Sequence, residues 1–174
     1  TNVENSNNNR ATFRHDSGTI TINGQMIMTQ ENNGSSTGYN SNLGVRQGTL
    51  ILKNVNPFVL NPLGGTQLYQ LQPVFTGCIV QYSPMGEGLT LFNTSYRDLK
   101  IDSNYPVNAN NFTINNDGNL YLINGILNGN YILNDNVTII ENNGEVVNPP
   151  TLVSGGKYNL TYAQHVDRII AGPE

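Results

Sequence analysis

With a single cysteine, Cys78, the chain can form no intrachain disulfide, and its stability has to come from packing or assembly. Cys78 opens the apolar run Cys78-Ile79-Val80, a setting that predicts a buried small hydrophobe rather than a reactive thiol. Charge is equally scarce. The eight Lys and Arg never form a run and the pI is near 5.0, so the chain offers no basic footprint for a phosphate backbone and no nucleic-acid partner is expected. No stretch approaches the roughly 18–20 apolar residues of a membrane span, and no charged segment precedes an apolar one in the manner of a signal peptide. The first residue is Thr1, which fits either a removed leader or an excised fragment.

What the chain has instead is asparagine: 30 residues, against only 20 that are charged. Asn tolerates the left-handed backbone region and Gly enters it without a Cβ penalty, so the density of the two means that the backbone reverses often. A chain that turns this often is built from strands. At 19.0 kDa it fits one domain with a thin, sheet-like core. Low charge with abundant Asn, Thr, Gly and Tyr is also a composition shared by fibres, sheaths and virion shells. Five N-x-S/T sequons occur, at Asn33, Asn93, Asn111, Asn136 and Asn159, but chance alone supplies about four in so Asn-rich a chain.

Along the chain, residues 1–16 are polar and read as a flexible arm or a strand that orders on a neighbour; residues 17–174 read as one β domain. Ile20 and Ile22 alternate with Thr19 and Thr21, Asn23-Gly24 offers a type I′ turn, and Met26 and Met28 resume the alternation, the strongest hairpin signal present. Glu31 to Gln47 reads as a long surface loop, Gly48 to Val55 as a strand buried on both faces, and Thr66 to Gln72 as a strand or a helical turn. Strands follow at Cys78 to Tyr82, Leu89 to Phe92, Tyr96 to Ile101, Phe112 to Asn115, Asn119 to Ile123, Tyr131 to Leu133, Val137 to Glu141, Glu145 to Val147 and Tyr158 to Tyr162. Val166, Ile169 and Ile170 have the spacing of a short C-terminal helix. Asn119 to Asn124 and Asn130 to Asp135 look like two copies 11 residues apart, short rungs that suit a meander, a β-solenoid or an intertwined trimeric fibre.

Little of this sequence carries recognisable chemistry. His15 and His165 lie far apart with no metal-ligand spacing, and His15-Asp16-Ser17 in an extended arm cannot align a nucleophile with a base. Asp98 with Asp102, or Glu31, Glu87 and Glu141, supply carboxylates that turn and strand-end positions explain singly. Asn115 to Asn119 and Asn134 to Asn136 are oxygen-rich but lack the spaced acids of a calcium loop. Gly64-Gly65 and Gly155-Gly156 lack the Lys-Ser/Thr of a phosphate loop. No catalytic, cofactor-binding or metal-ligating residue is therefore expected, and the chain is not read as an enzyme. Tyr39, Tyr69, Tyr82, Tyr96 and Tyr105 could stack on sugars, with half-burial in strands as the plainer account.

One segment carries a family likeness. Asn56-Pro-Phe-Val-Leu-Asn-Pro62 followed by Gln67-Leu-Tyr-Gln-Leu-Gln-Pro-Val-Phe-Thr-Gly-Cys-Ile-Val-Gln-Tyr-Ser-Pro84 resembles the stretch of jelly-roll viral coat proteins in which a strand leads through a short helix into a second strand. The likeness implies a self-assembling shell or surface protein, without the basic arm that packages RNA. Together these readings predict an all-β, antiparallel β-sandwich of jelly-roll or Greek-key type. The expected role is a self-assembling structural subunit of an extracellular filament or virion surface, a homo-oligomer joined by strand exchange or edge pairing through Thr1 to Asp16 or Tyr158 to Tyr162. The alternative is a carbohydrate- or receptor-binding module acting on a cell-surface glycan or receptor through the Gly34 to Asn42 loop and exposed tyrosines.

Overall fold

The computed structural model describes the backbone of residues 2–6, 10–15, 17–31, 42–45, 47–63 and 75–163, and the side chains of 17–26, 47–59, 75 and 77–163. Most of the expected strands are there, Leu89 to Phe92 being instead a single bridge at Thr90, but they pair side by side in parallel. The central ladder joins Thr19–Ile22 to Thr49–Leu52, which pairs in turn with Phe75–Tyr82, Ser95–Asp102, Phe112–Asn128, Val137–Val146 and Tyr158–Tyr162, every pairing parallel. The chain is a β-solenoid whose regular part makes about four turns, and the expected antiparallel sandwich, jelly roll or Greek key is not formed.

The register fixes the period. Ile20, Leu50, Val80, Leu99, Leu120, Ile139 and Leu160 stack in one column. The sequence steps are 30 residues from Ile20 to Leu50 and from Leu50 to Val80. They then settle to 19 (Val80 to Leu99), 21 (to Leu120), 19 (to Ile139) and 21 (to Leu160). Each coil visits three ladders in chain order. The central one is followed by a second, through Val107, Leu127 and Val146, and a third, through Tyr96, Ile114, Leu133 and Leu152. Because side chains alternate across a strand, every second residue of each ladder points into the coil. Leu50, Val80, Leu99, Leu120, Leu127, Ile114 and Leu133 are fully buried in this way, and the outward neighbours Ile51, Gln81, Lys100 and Tyr121 are half-buried. The strand at 49–52 is accordingly buried on one face, not two.

Aromatic side chains fill the third side of the core. Phe75 stacks on Tyr96 (centroids 5.4 Å apart, planes 11° apart), Tyr96 meets Phe112 edge-on at 5.9 Å, and Phe112 stacks on Tyr131 at 5.5 Å. Successive rings are neighbours because parallel strands place equivalent residues one strand spacing, about 4.8 Å, apart.

Many of the described asparagines sit where the coil bends. Among the described residues, the non-glycine positions with positive φ are Asn110, Asn111, Asp117 and Asn136. At each bend an amide or carboxylate reaches the coil beside it. Asn124 Nδ2 donates to Asp102 Oδ1 at 2.7 Å, Asn143 Nδ2 to Asn124 Oδ1 at 3.4 Å, Asn119 Nδ2 to Asp98 Oδ1 at 2.7 Å, and Asn136 Nδ2 to Asp117 Oδ1 at 2.6 Å. Asn148 Oδ1 accepts from Gly129 N–H at 3.1 Å, and Asn110 Nδ2 donates to Leu91 O at 3.2 Å. Frequent reversal was the right inference, but the reversals are corners, not hairpins. A type I′ hairpin needs positive φ at two successive residues. Neither Asn23 nor Gly24 has it, and at Asn124-Gly125 and Asn128-Gly129 only the glycine does. Ile22 and Met26 therefore belong to different ladders: Thr19–Ile22 pairs with Thr49–Leu52, whereas Met26–Glu31 pairs with Phe58–Leu63.

At the N-terminal end Arg10–His15 pairs in parallel with Asn42–Val45 and antiparallel with Asn2–Ser6, so the polar first residues contribute a reversed strand at the start of the chain. The strand or helical turn expected at Thr66 to Gln72 and the helix expected at Val166 to Ile170 lie outside the described residues, as does most of the Glu31 to Gln47 loop, of which Asn42–Val45 is a strand.

Candidate functional site

The residues with chemical potential are built into the scaffold. Asp98 and Asp102, considered above as a carboxylate pair, are each bonded to an Asn of the next coil; Ser83 Oγ also donates to Asp102 Oδ2 at 3.5 Å. Asp117 and Asp135 take part in the opposite corner, where Asp135 Oδ1 accepts from Lys157 N–H at 3.0 Å. Glu87 is exposed, and Glu31, His15 and His165 have no described side chain. No group of three or more His, Cys, Asp or Glu converges on a metal-sized space among the described residues.

The tyrosines divide. Tyr82 and Tyr96 are fully buried: Tyr96 Oη donates to Phe92 O at 2.9 Å and Tyr82 Oη donates to Tyr96 Oη at 2.9 Å, since Tyr96 has only one proton to give. Burial pushes the Tyr82 phenol up to about 12 and raises Tyr96 well above the ordinary tyrosine value, so both stay neutral bond donors. Tyr121 lies on the outer surface with Lys100 Nζ 5.0 Å from its ring centre, and Tyr105 is exposed. Tyr39, Tyr69 and nearly all of the Gly34 to Asn42 loop fall outside the described residues. Of the sequons, Asn93, Asn111, Asn136 and Asn159 are exposed.

Cys78 is buried, as its apolar neighbours predict, and burial pushes its thiol up to about 11. The thiolate is the form that attacks a disulfide reagent, so Cys78 is expected to resist such a reagent at pH 8 in the native protein and to react fully once denatured. Rapid native labelling would place the thiol at the surface.

Among the described residues one buried position carries a charged side chain. The column Ile22, Leu52, Tyr82, Ile101, Leu122 continues to Glu141 and Tyr162, and Glu141 is only 5% exposed. Its Oε1 accepts from Val146 N–H at 3.4 Å across the corner of its own coil. Beside it Tyr131 Oη donates to Asn148 O at 3.1 Å, and burial raises the Tyr131 phenol, with Tyr158 and Glu141 adding to the rise.

The feature that stands out is the C-terminal end. Of the seven exposed large hydrophobic residues among those described, five lie from Val147 to Tyr162: Val147, Leu152, Val153, Leu160 and Tyr162. Leu160 and Tyr162 occupy inward columns, yet they are 40% and 38% exposed where Ile139, one coil earlier, is 1% exposed. Among the described residues, Tyr158–Tyr162 pairs only with Val137–Val146, and Thr151–Leu152 only with Tyr131–Leu133. Among the described residues no further strand pairs with the far side of either one, and a strand at the end of a sheet is the template that edge pairing uses. At the other end, among the described residues, Thr19–Ile22 pairs only with Thr49–Leu52, while the reversed strand Asn2–Ser6 lies at the edge of a separate three-stranded sheet.

No known protein family, curated protein or solved structure matches this chain. The reading of its role rests on the coil and its ends. No helix among the described residues is long and apolar enough to cross a membrane. The sequence signal for this site was partly visible: Tyr158 to Tyr162 is recognisable as a terminal strand, but the exposure of its inward side chains depends on the stacking direction.

Proposed function

We propose that the chain is a structural, self-assembling subunit of an extracellular filament or virion surface, joined to copies of itself by edge pairing at the end of the coil. The observation that carries this reading is the exposure of Leu160 and Tyr162, inward side chains of a rung with no described strand beyond it. Covering such residues removes apolar surface from water at roughly 25 cal/mol per Å². The corner ladders suit a mechanical role, because each coil is fastened to the next by side chains as well as by backbone. The low charge and Asn-rich composition agree with an exposed assembly. Of the two candidate donor strands, Tyr158 to Tyr162 is favoured, since its inward side chain Leu160 is exposed.

Light scattering across a concentration series, with electron microscopy of the same material, tests the proposal. The full chain is expected to form oligomers, and Leu160→Lys, which puts a charge at the inward edge, is expected to yield monomers with an unchanged β-type circular dichroism spectrum. A full chain that stays monomeric throughout, or a Leu160→Lys variant that assembles as well as the parent, would refute it.

A further inference from the structure

We infer that Asn23 is a self-modifying site. In the folded protein its side-chain amide closes on the backbone nitrogen of Gly24 and becomes aspartate or isoaspartate, ahead of the other Asn-Gly steps described. The inference goes beyond the assembly reading and does not depend on it.

The chemistry is open to any Asn followed by Gly, because no Cβ shields the following nitrogen. That nitrogen, losing its proton, attacks the carbonyl carbon of the Asn side chain. A C–N bond forms to close a five-membered succinimide ring, and the bond to the amide nitrogen breaks, releasing ammonia. Water then opens the ring at either carbonyl. One opening leaves aspartate; the other leaves isoaspartate, in which the main chain runs through the former side chain. Nothing is oxidised or reduced: one water enters, one ammonia leaves, and the chain gains one negative charge.

The sequence holds five Asn-Gly steps, at Asn23, Asn33, Asn124, Asn128 and Asn143. Asn33-Gly34 lies outside the described residues, and the fold separates the other four. Asn124 and Asn143 are stacked in the ladder, with Gly125 against Gly144. Asn124 Nδ2 donates to Asp102 Oδ1 at 2.7 Å, and Asn143 Nδ2 donates to Asn124 Oδ1 at 3.4 Å. Both glycines are pressed against the neighbouring coils: a Cβ on Gly125 would lie 2.6 Å from Ser103 O, and one on Gly144 2.9 Å from Leu122 Cβ. At Asn128, which pairs with Asn108, the attacking nitrogen is engaged, since Gly129 N–H donates to Asn148 Oδ1 at 3.1 Å. Closing the ring at any of these three sites requires the coil to open there.

Asn23 meets none of these restraints. Asn23 and Gly24 are exposed in the corner between two ladders, which is fastened on either side: Lys53 N–H donates to Ile22 O at 2.9 Å, and Met26 N–H donates to Pro57 O at 2.7 Å. Between those bonds, among the described residues, neither the Asn23 amide nor the Gly24 N–H has a hydrogen-bond partner. No atom lies within 4 Å of where a Gly24 Cβ would stand. The ring can therefore close without opening a ladder, and the extra main-chain carbon of isoaspartate is taken up in a corner instead of a strand.

Ageing the full chain in mildly alkaline buffer made with heavy-oxygen water tests the inference, because ring opening inserts one solvent oxygen that peptide mapping by mass spectrometry detects. In the native protein position 23 is expected to convert about tenfold faster than positions 124, 128 and 143, or more, the rate difference that follows from having to break one hydrogen bond of about average strength. In denaturant the four positions are expected to convert at similar rates. Gly24→Ala, whose methyl group shields the nitrogen and meets no atom of the fold, is expected to lose most of the conversion at position 23 with an unchanged circular dichroism spectrum. Native conversion at position 23 no faster than at the other three would overturn the inference. So would the same lead in denaturant, which would make the local sequence and not the fold its cause. Conversion in Gly24→Ala as fast as in the parent would overturn the route through the Gly24 nitrogen.

Discussion

Replacing Tyr96 with alanine is expected to leave little folded protein at room temperature. Its ring lies at the centre of the aromatic side of the core, stacked on Phe75 and edge-on to Tyr82 (6.4 Å) and Phe112, and it is fully buried. Truncating a buried aromatic residue costs about 3–5 kcal/mol, and losing its hydroxyl adds the penalty of leaving Tyr82 Oη and Phe92 O without their partner, about 1–3 kcal/mol more. Against a total stability of about 5–15 kcal/mol for an ordinary domain, that sum is most of what holds the coil together. Tyr96→Phe isolates the smaller part, because the ring stays and only the hydrogen bonds go; it is expected to lower stability by about 1–3 kcal/mol. Denaturant titration followed by circular dichroism measures both. Equal losses in the two variants would mean that the hydroxyl bonds, not ring packing, hold this side of the core.

The strand positions were legible in the sequence because they depend on short-range alternation. Cys78 to Tyr82, Tyr131 to Leu133 and Tyr158 to Tyr162 were each placed where they lie in the fold. Pairing was not legible, because a bend rich in Asn and Gly can feed either a returning strand or the next side of a coil. The difference rests on φ values at individual residues, such as Asn23, that composition does not reveal. The apparent 11-residue copies misled for a related reason. Asn119 to Asn124 and Asn130 to Asp135 lie on the central and third sides of the coil, with the second side between them, and do not stack: Asn119 pairs with Thr138, and Tyr131 pairs with Phe112. The true period is the sequence distance around three sides, and it varies with corner length, so no fixed spacing repeats.

The candidate site was legible in the same partial way. That Tyr158 to Tyr162 ends the chain of strands follows from its alternation and from the Pro149-Pro150 and Gly155-Gly156 breaks before it. That Leu160 and Tyr162 are inward positions at the end of a stack follows only from knowing what they stack on. Glu141 left no sequence signal at all. A glutamate after Val137-Thr-Ile-Ile reads as an ordinary strand-end charge, and only the column through Ile101 and Leu122 identifies it as an interior residue.

The glycines divide by physical cause, and Gly118→Ala against Gly155→Ala is expected to expose the division. Residues 115–118 of one coil stand against the single residue Arg97 of the coil before, an irregularity in the ladder between Ile114 and Asn119 that lengthens this step to 21 residues. The extra chain folds down on its neighbour. A Cβ on Gly118 would run into the carbonyl oxygen of Arg97 and lie 2.8 Å from Asn115 O and 2.9 Å from Ile114 Cγ2. Two of these three atoms are backbone and cannot swing away, so the ladder itself must open, and the expected loss is about 3 kcal/mol or more. Gly155 has φ +75° and open space around its Cα, so alanine there meets no atom and pays only the left-handed backbone cost, about 1–2 kcal/mol. Thermal unfolding of the two variants beside the parent gives the comparison. A Gly118→Ala protein as stable as Gly155→Ala would mean that the bulge relaxes away from Arg97, and that the coils are less tightly seated at this corner than their hydrogen bonds imply.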